Sequence, residues 1–423
     1  MSLHCLHGTF GTINRLYIGL STLPRLPSHF FMGLAINHLT ISYSNLSSIQ
    51  PSAMSALGST LYSLDISSNE LTMIPAFREQ RLRVLRNLKL SHNKIHTIPD
   101  KIFEGLDSLI QLSLYGNRIS AVSDAAFFGL SRTLTRLNLG GNHLTKFPTE
   151  AFHTLNHLVD LDLHDNLINH IEEKDFPQAI SNLDHLNLRN NSIGNVEAEA
   201  FFHLRHLTNL DISENNIKHF DRKAFDGLDN LEYLCIGDNP LNAVPSESLR
   251  RLTNLQQLDL RNSNISVLTE DSFKGFCTNI KWLHLQYNHI KAFSELILDG
   301  CDSIQTLQLY GNWLTGLNLS SVSPVMDTLV VLDIHANPLI CDCDLLWYRN
   351  WLADFHQQGE TAFLVRNASC HVPSKNVDRM VLDVHPADFN CKQSSPYTST
   401  ASVHVFSPLH LLFCVAIAHL LLR

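Results

Sequence analysis

Residues 207–230 read LTNLDISENNIKHFDRKAFDGLDN, and the rest of the chain either copies this stretch or closes it off. Leu207, Leu210, Ile212, Ile217 and Phe220 are apolar, Asn215 stands among them, and Phe225 and Leu228 restore apolar character after a polar bend. The opening follows period two, so Leu210 and Ile212 share one face of a short strand while Asn209, Asp211 and Ser213 share the other. One face must pack inward, and the other is free to bind.

The pattern restarts at Ile13, Ile36, Leu61, Leu85, Leu109, Leu134, Leu158, Leu183, Leu207, Leu231, Leu255, Ile280, Ile304 and Leu329, at spacings of 24 or 25 residues after a first step of 23. One copy cannot bury its own apolar edge, so neighbours must stack. This period resembles that of leucine-rich repeats, which implies an α/β fold: a curved solenoid with a parallel sheet on its concave face. Returns such as DKIFEGL, TEAFHTL and DRKAFDGL read as short helical or 3-10 turns on the convex face.

Position nine is Asn69, Asn93, Asn117, Asn142, Asn166, Asn191, Asn215, Asn239, Asn288, Asn312 and Asn337, with Ser21, Ser44 and Ser263 as departures. Backbone groups are left without sheet partners where the strand turns away, and an amide side chain both donates and accepts there. The serine-bearing first two copies are expected to be the loosest. A second row holds Phe31, Phe103, Phe127, Phe152, Phe176, Phe201, Phe225 and Phe273, each eighteen residues into its copy. These rings should stack on the loop side of the core.

The 423 residues carry a net charge of -9 and 24 scattered histidines, so the basic face of a nucleic-acid-binding protein is missing. Nucleic acid is set aside as a partner. The length suits one elongated domain, because a solenoid grows by addition. Residues 13–340 form the repeats, 341–391 a cysteine-rich cap, 392–408 a Ser/Thr-rich stalk and 409–423 a hydrophobic tail. Residues 1–12 lack the basic start and apolar run of a signal peptide, and we read them as an incomplete amino end. A cytosolic protein is the alternative, against which the carboxyl end argues.

Cys277 and Cys301 occupy equivalent places in successive copies, which suits a disulfide; two buried free thiols are the other reading. Sequons at Asn45, Asn190, Asn264, Asn318 and Asn367 fit passage through the secretory pathway. The clustered Arg78, Arg81, Arg83 and Arg86 could attract an anionic polysaccharide, but a solvated convex turn is preferred.

After Leu329 the chain reads NPLICDCDLLWYRNWL, with Cys370 and Cys391 following. NPLxCDCxLxW with two later cysteines resembles the carboxyl-terminal cap of secreted and cell-surface leucine-rich repeat proteins such as Slit, chaoptin and the Toll receptors. That resemblance implies pairing of Cys341 with Cys370 and of Cys343 with Cys391, which leaves no thiols for a zinc reading of the CxC. Asp344 is expected to cap a helix whose Trp347 and Trp351 share one face. The opening INRLYIGLSTLPRLPSHFFMGL is also similar to arthropod relatives of the non-catalytic leucine-rich subunit of shrimp luciferase.

No nucleophile, base and orienting acid converge beyond what the repeat explains. His153, His157, His164, His170 and His185 look like a cluster, and His164, His185 and Asp162 suggest a metal site, but satisfied surface histidines are preferred. No cofactor or metal is expected. The ligand site is placed on the concave face of copies seven to twelve, where Asp160, Asp162, Asp211 and Asp259 should point outward beside Tyr233, Trp282 and Tyr310, with Asp165 and Glu214 on the flank. The expected function is non-enzymatic recognition of a basic protein patch at the cell surface, with a homodimer also compatible. The alternative is a soluble secreted scaffold subunit, as the luciferase resemblance implies. Ser399, followed by a short spacer and an apolar run, is the candidate site of a glycolipid anchor, with a single-pass span as runner-up.

Overall fold

The computed structural model describes residues 11–358, 368–389 and 391. Fourteen strands, from Ile13–Gly19 to Val331–Asp333, form one parallel sheet in which each strand pairs only with its sequence neighbours in the repeat. The register aligns like with like: Leu210 lies between Leu186 and Leu234. Most of these strands are three residues long with only the central one buried, as in Asn209–Asp211. The consensus leucines and isoleucines therefore form one continuous core along the stack.

The asparagine ladder links consecutive coils. Asn215 Nδ2 donates to the carbonyls of Leu188 in the previous coil and of Ile212 and Ser213 in its own, while Oδ1 accepts from Ile193 N–H. Where the ladder residue is serine, the next asparagine takes a double load. Asn69 Oδ1 accepts from both Ser44 and Leu46, and Asn288 Oδ1 from both Ser263 and Ile265. Asn288→Ala should therefore cost about 1 to 3 kcal/mol through orphaned buried groups, and more than Asn312→Ala, whose Oδ1 serves Ile290 alone. Urea unfolding of the two variants checks the ranking, and equal losses would refute it.

The phenylalanine row stacks as the spacing implies. Phe103, Phe127 and Phe152 lie 6.1 and 5.9 Å apart in sequence, and Phe201 lies 6.1 Å from Phe225. Phe77 joins the row 6.4 Å from Phe103, although it stands sixteen rather than eighteen residues into its copy. The helix Phe77–Gln80 brings it into line.

Helical returns are fewer than the sequence suggests. TEAFHTL does begin with the helix Thr149–Phe152, but DKIFEGL and DRKAFDGL fold as hydrogen-bonded turns. Their glycines explain this: Gly105 and Gly227 adopt φ of 91° and 95°, which reverse the chain after one turn. A Cβ on Gly227 would also come within 2.8 Å of the Phe202 backbone.

The carboxyl end is closed by the helix Cys343–Gln358 and a sheet of Leu339–Ile340, Ser369–Val372 and Val377–Met380. Disulfides join Cys341 to Cys370 and Cys343 to Cys391, and a third joins Cys277 to Cys301 between adjacent coils. The helix is capped by Asp342, not by Asp344. It starts at Cys343, so Asp344 lies inside the first turn and supplies the N–H that Asp342 Oδ1 accepts at 3.1 Å. Trp347 Nε1 donates to Leu317 O at 2.8 Å, and the buried Tyr348 hydroxyl donates to Leu332 O at 3.2 Å. These two bonds fasten the cap to the last coils.

Candidate functional site

The concave sheet presents two kinds of acid. At position five, the consensus aspartates turn back on their own coil. Asp162 Oδ1 accepts from His164 N–H, Asp211 Oδ1 from Ser213 N–H and Asp259 Oδ1 from Arg261 N–H, at 2.9 to 3.1 Å. These carboxylates satisfy backbone donors exposed where the strand ends. Asp259 is only 5% exposed and is further covered by Arg261 at 3.4 Å, which corrects the expectation that it points outward. Asp162 and Asp211 are half-buried.

Asp160 is different. It makes no such turn bond, and its register neighbours are Arg136 and His185. Burial, above all, raises its carboxyl above the ordinary value, with the Asp162 and Asp184 charges adding to this and His185 and Arg136 opposing it. A shallow groove of about 250 Å³ is lined by Lys89, Arg136, Asp160 and Asp162 together with strand residues of coils four to six. The groove thus runs toward the amino end beyond copies seven to twelve, and its charged lining there is basic, Lys89 and Arg136.

Tyr233 and Trp282 face each other across the strand Gln257–Asp259, with ring centroids 6.4 Å apart and planes 19° apart. Both are half-buried. Tyr310 does not join this pair. It follows the strand Thr306–Gln308 and belongs to a rim row, edge-on to Tyr287 at 5.0 Å and stacked on His335 at 4.7 Å. On the flank, Glu214 is paired with Arg189 and Asp165 with Asn190 Nδ2, so neither offers an unengaged charge.

Sequence reasoning missed a second rim stack, Tyr115 on His164 at 5.3 Å, which reaches across coil six because Gly140 stands between them. A glycine at position seven was the available signal. It also missed Cys235, the free thiol among the described residues, on the concave face between Asp211 and Asp259. Burial, reinforced by those two carboxylates, pushes it up to about 12, so it is a poor nucleophile. The suggested metal trio does not converge: His164 pairs with Asp162, while His185 pairs with Asp184. Among the described residues no group of three His, Cys, Asp or Glu is placed to hold a metal ion.

A family profile described as "Leucine rich repeat" matches residues 59–119, 83–133, 132–178, 181–241, 230–289 and 253–314, more than half of the chain. The chain belongs to the leucine-rich repeat family. Human vasorin is 30% identical over 112 residues, which are 26% of this chain and 16% of vasorin. The chain therefore matches only a small part of that relative's length.

Among solved structures, the TLR13 chain of a complex with single-stranded RNA superposes with a TM-score of 0.71 at 25% identity, over 89% of this chain and 57% of that one. The mouse RP105/MD-1 complex gives a TM-score of 0.64 at 20% identity, over 88% and 58%, and shows the shared fold. The chain thus shares the leucine-rich repeat fold of these solved structures. Asn367, Ser399, the start of the chain and the stalk and tail lie outside the described residues. No helix among the described residues is long and apolar enough to cross a membrane.

Proposed function

We propose that this protein is a non-enzymatic recognition protein of the cell surface or extracellular space, which binds a protein partner with a basic patch through its concave face. The observation that carries this reading is the Tyr233–Trp282 pair beside an acidic sheet, because paired aromatics on an open strand surface gain little in the unbound monomer. Aromatic side chains supply the anchors, and acids such as Asp160 steer the encounter. One similar solved ectodomain is in complex with single-stranded RNA. Against an RNA ligand here stand the net charge of -9 and the carboxylates lining the sheet.

With a partner in hand, Trp282→Ala and Asp160→Lys should each weaken binding more than tenfold, about 1.4 kcal/mol, with the thermal transition unchanged. Surface plasmon resonance reads this directly. Normal binding by both variants, together with loss on a convex substitution, would remove the concave face as the site.

The tail decides between a membrane-held receptor and a soluble scaffold subunit. Glycolipid attachment at Ser399 predicts release from cells by phosphatidylinositol-specific phospholipase C. Retention despite a working control enzyme points instead to a spanning tail.

A further inference from the structure

The tenth residue of each coil, just past the ladder position, forms a row along one flank of the solenoid. Contacts within this row show that consecutive members face the same way. Glu70 of coil three pairs with Lys94 of coil four, and the His289 ring of coil twelve meets the Trp313 ring of coil thirteen at 4.7 Å. Two sequons fall in the same row, Asn45 in coil two and Asn264 in coil eleven.

These two asparagines are structural twins. Each follows a ladder serine, Ser44 or Ser263, whose N–H is accepted by the next coil's asparagine. Each is exposed and left-handed, with φ of 52° at Asn45 and 57° at Asn264. Their neighbours differ. The row continues from Asn45 into the ion pair Glu70–Lys94, but from Asn264 into His289 and Trp313.

Beside His289 the flank is an aromatic platform. Trp313 is 50% exposed, with Lys291 Nζ 5.4 Å from its ring centre. The row advances by one coil, about 4.8 Å, per step, so Trp313 stands about 10 Å from Asn264. That is within reach of the first sugars of an attached glycan.

We propose that Asn264 carries an N-linked glycan whose core sugars pack on the His289–Trp313 platform. The proposal rests on the extracellular reading above. A pyranose ring presents an apolar face of C–H groups, and burying it against aromatic rings removes apolar surface of both from water. Asn190 lacks such a setting, because its Nδ2 donates to Asp165 Oδ1 at 2.6 Å. The glycan would cover the exposed Trp313 ring on this flank and leave the concave face to the protein partner.

The test uses the full chain, secreted behind a leader from animal cells that keep glycans in the high-mannose form. Glycopeptide mass spectrometry follows release by endoglycosidase H from the native protein. Asn45 and Asn264 should both be occupied, with release from Asn264 at least tenfold slower. In Trp313→Ala that difference should disappear. Transplanting the platform with Glu70→His and Lys94→Trp should slow release at Asn45, which decides the matter if Trp313→Ala is not secreted. Equal release rates in the parent chain, or a bare Asn264 beside an occupied Asn45, overturn the proposal alone. Five bare sequons in a folded secreted chain overturn it together with the support that sequons lend to the extracellular reading.

Discussion

Phe127→Ala should lower the unfolding free energy by about 3 to 5 kcal/mol, the usual cost of emptying a fully buried aromatic site. Phe127 is fully buried and stacks on Phe103 on one side and Phe152 on the other, so truncation removes contacts with two coils at once. A solenoid holds together through nearest-neighbour interfaces, and there is no distant part of the core to close the gap. Urea unfolding should show a lower midpoint or a new early transition confined to the amino-terminal coils. Exposed Phe128, the next residue, is the control, since Phe128→Ala should change stability by less than about 0.5 kcal/mol. A loss below about 1 kcal/mol at Phe127 would mean that the phenylalanine row does not carry the stack.

The second large effect is expected at the cap. Replacing Cys343 and Cys391 together by serine opens a loop with a sequence separation of 48, worth about 4 kcal/mol in the chain-entropy account. The cap helix would then rely on Trp347 bound to Leu317 O, Tyr348 bound to Leu332 O and the remaining Cys341–Cys370 bond. The variant should release its cap to limited proteolysis, and its tryptophan fluorescence should shift red well before the solenoid unfolds. Proteolysis patterns identical to the parent would show that side-chain packing alone holds the cap.

The period of leucines, the asparagine ladder and the eighteen-residue phenylalanine spacing were legible from the chain alone, because in a solenoid each coil repeats one local environment and periodicity is a direct record of it. The cap was legible for a different reason, the resemblance of NPLICDCDLLW and its two later cysteines to known caps, and the structure forms the implied pairs. What only the tertiary structure decided was where individual polar groups turn. Asp162, Asp211 and Asp259 sit on the concave side as alternation requires, yet each bends to an N–H left bare by its own turn, and Asp259 is lost to solvent. Asp342 rather than Asp344 caps the helix, because the choice depends on which residue first adopts helical geometry. The eighth residue of every coil from Leu20 to Ala336 is left-handed whether it is glycine, tyrosine or glutamate, so no residue type announced it. The Tyr233–Trp282 pair and the row joining Asn264 to Trp313 bring together residues from different coils. Alternation along a strand assigns a side chain to a face, but contacts between coils depend on register and rotamer, which exist only once the coils are stacked.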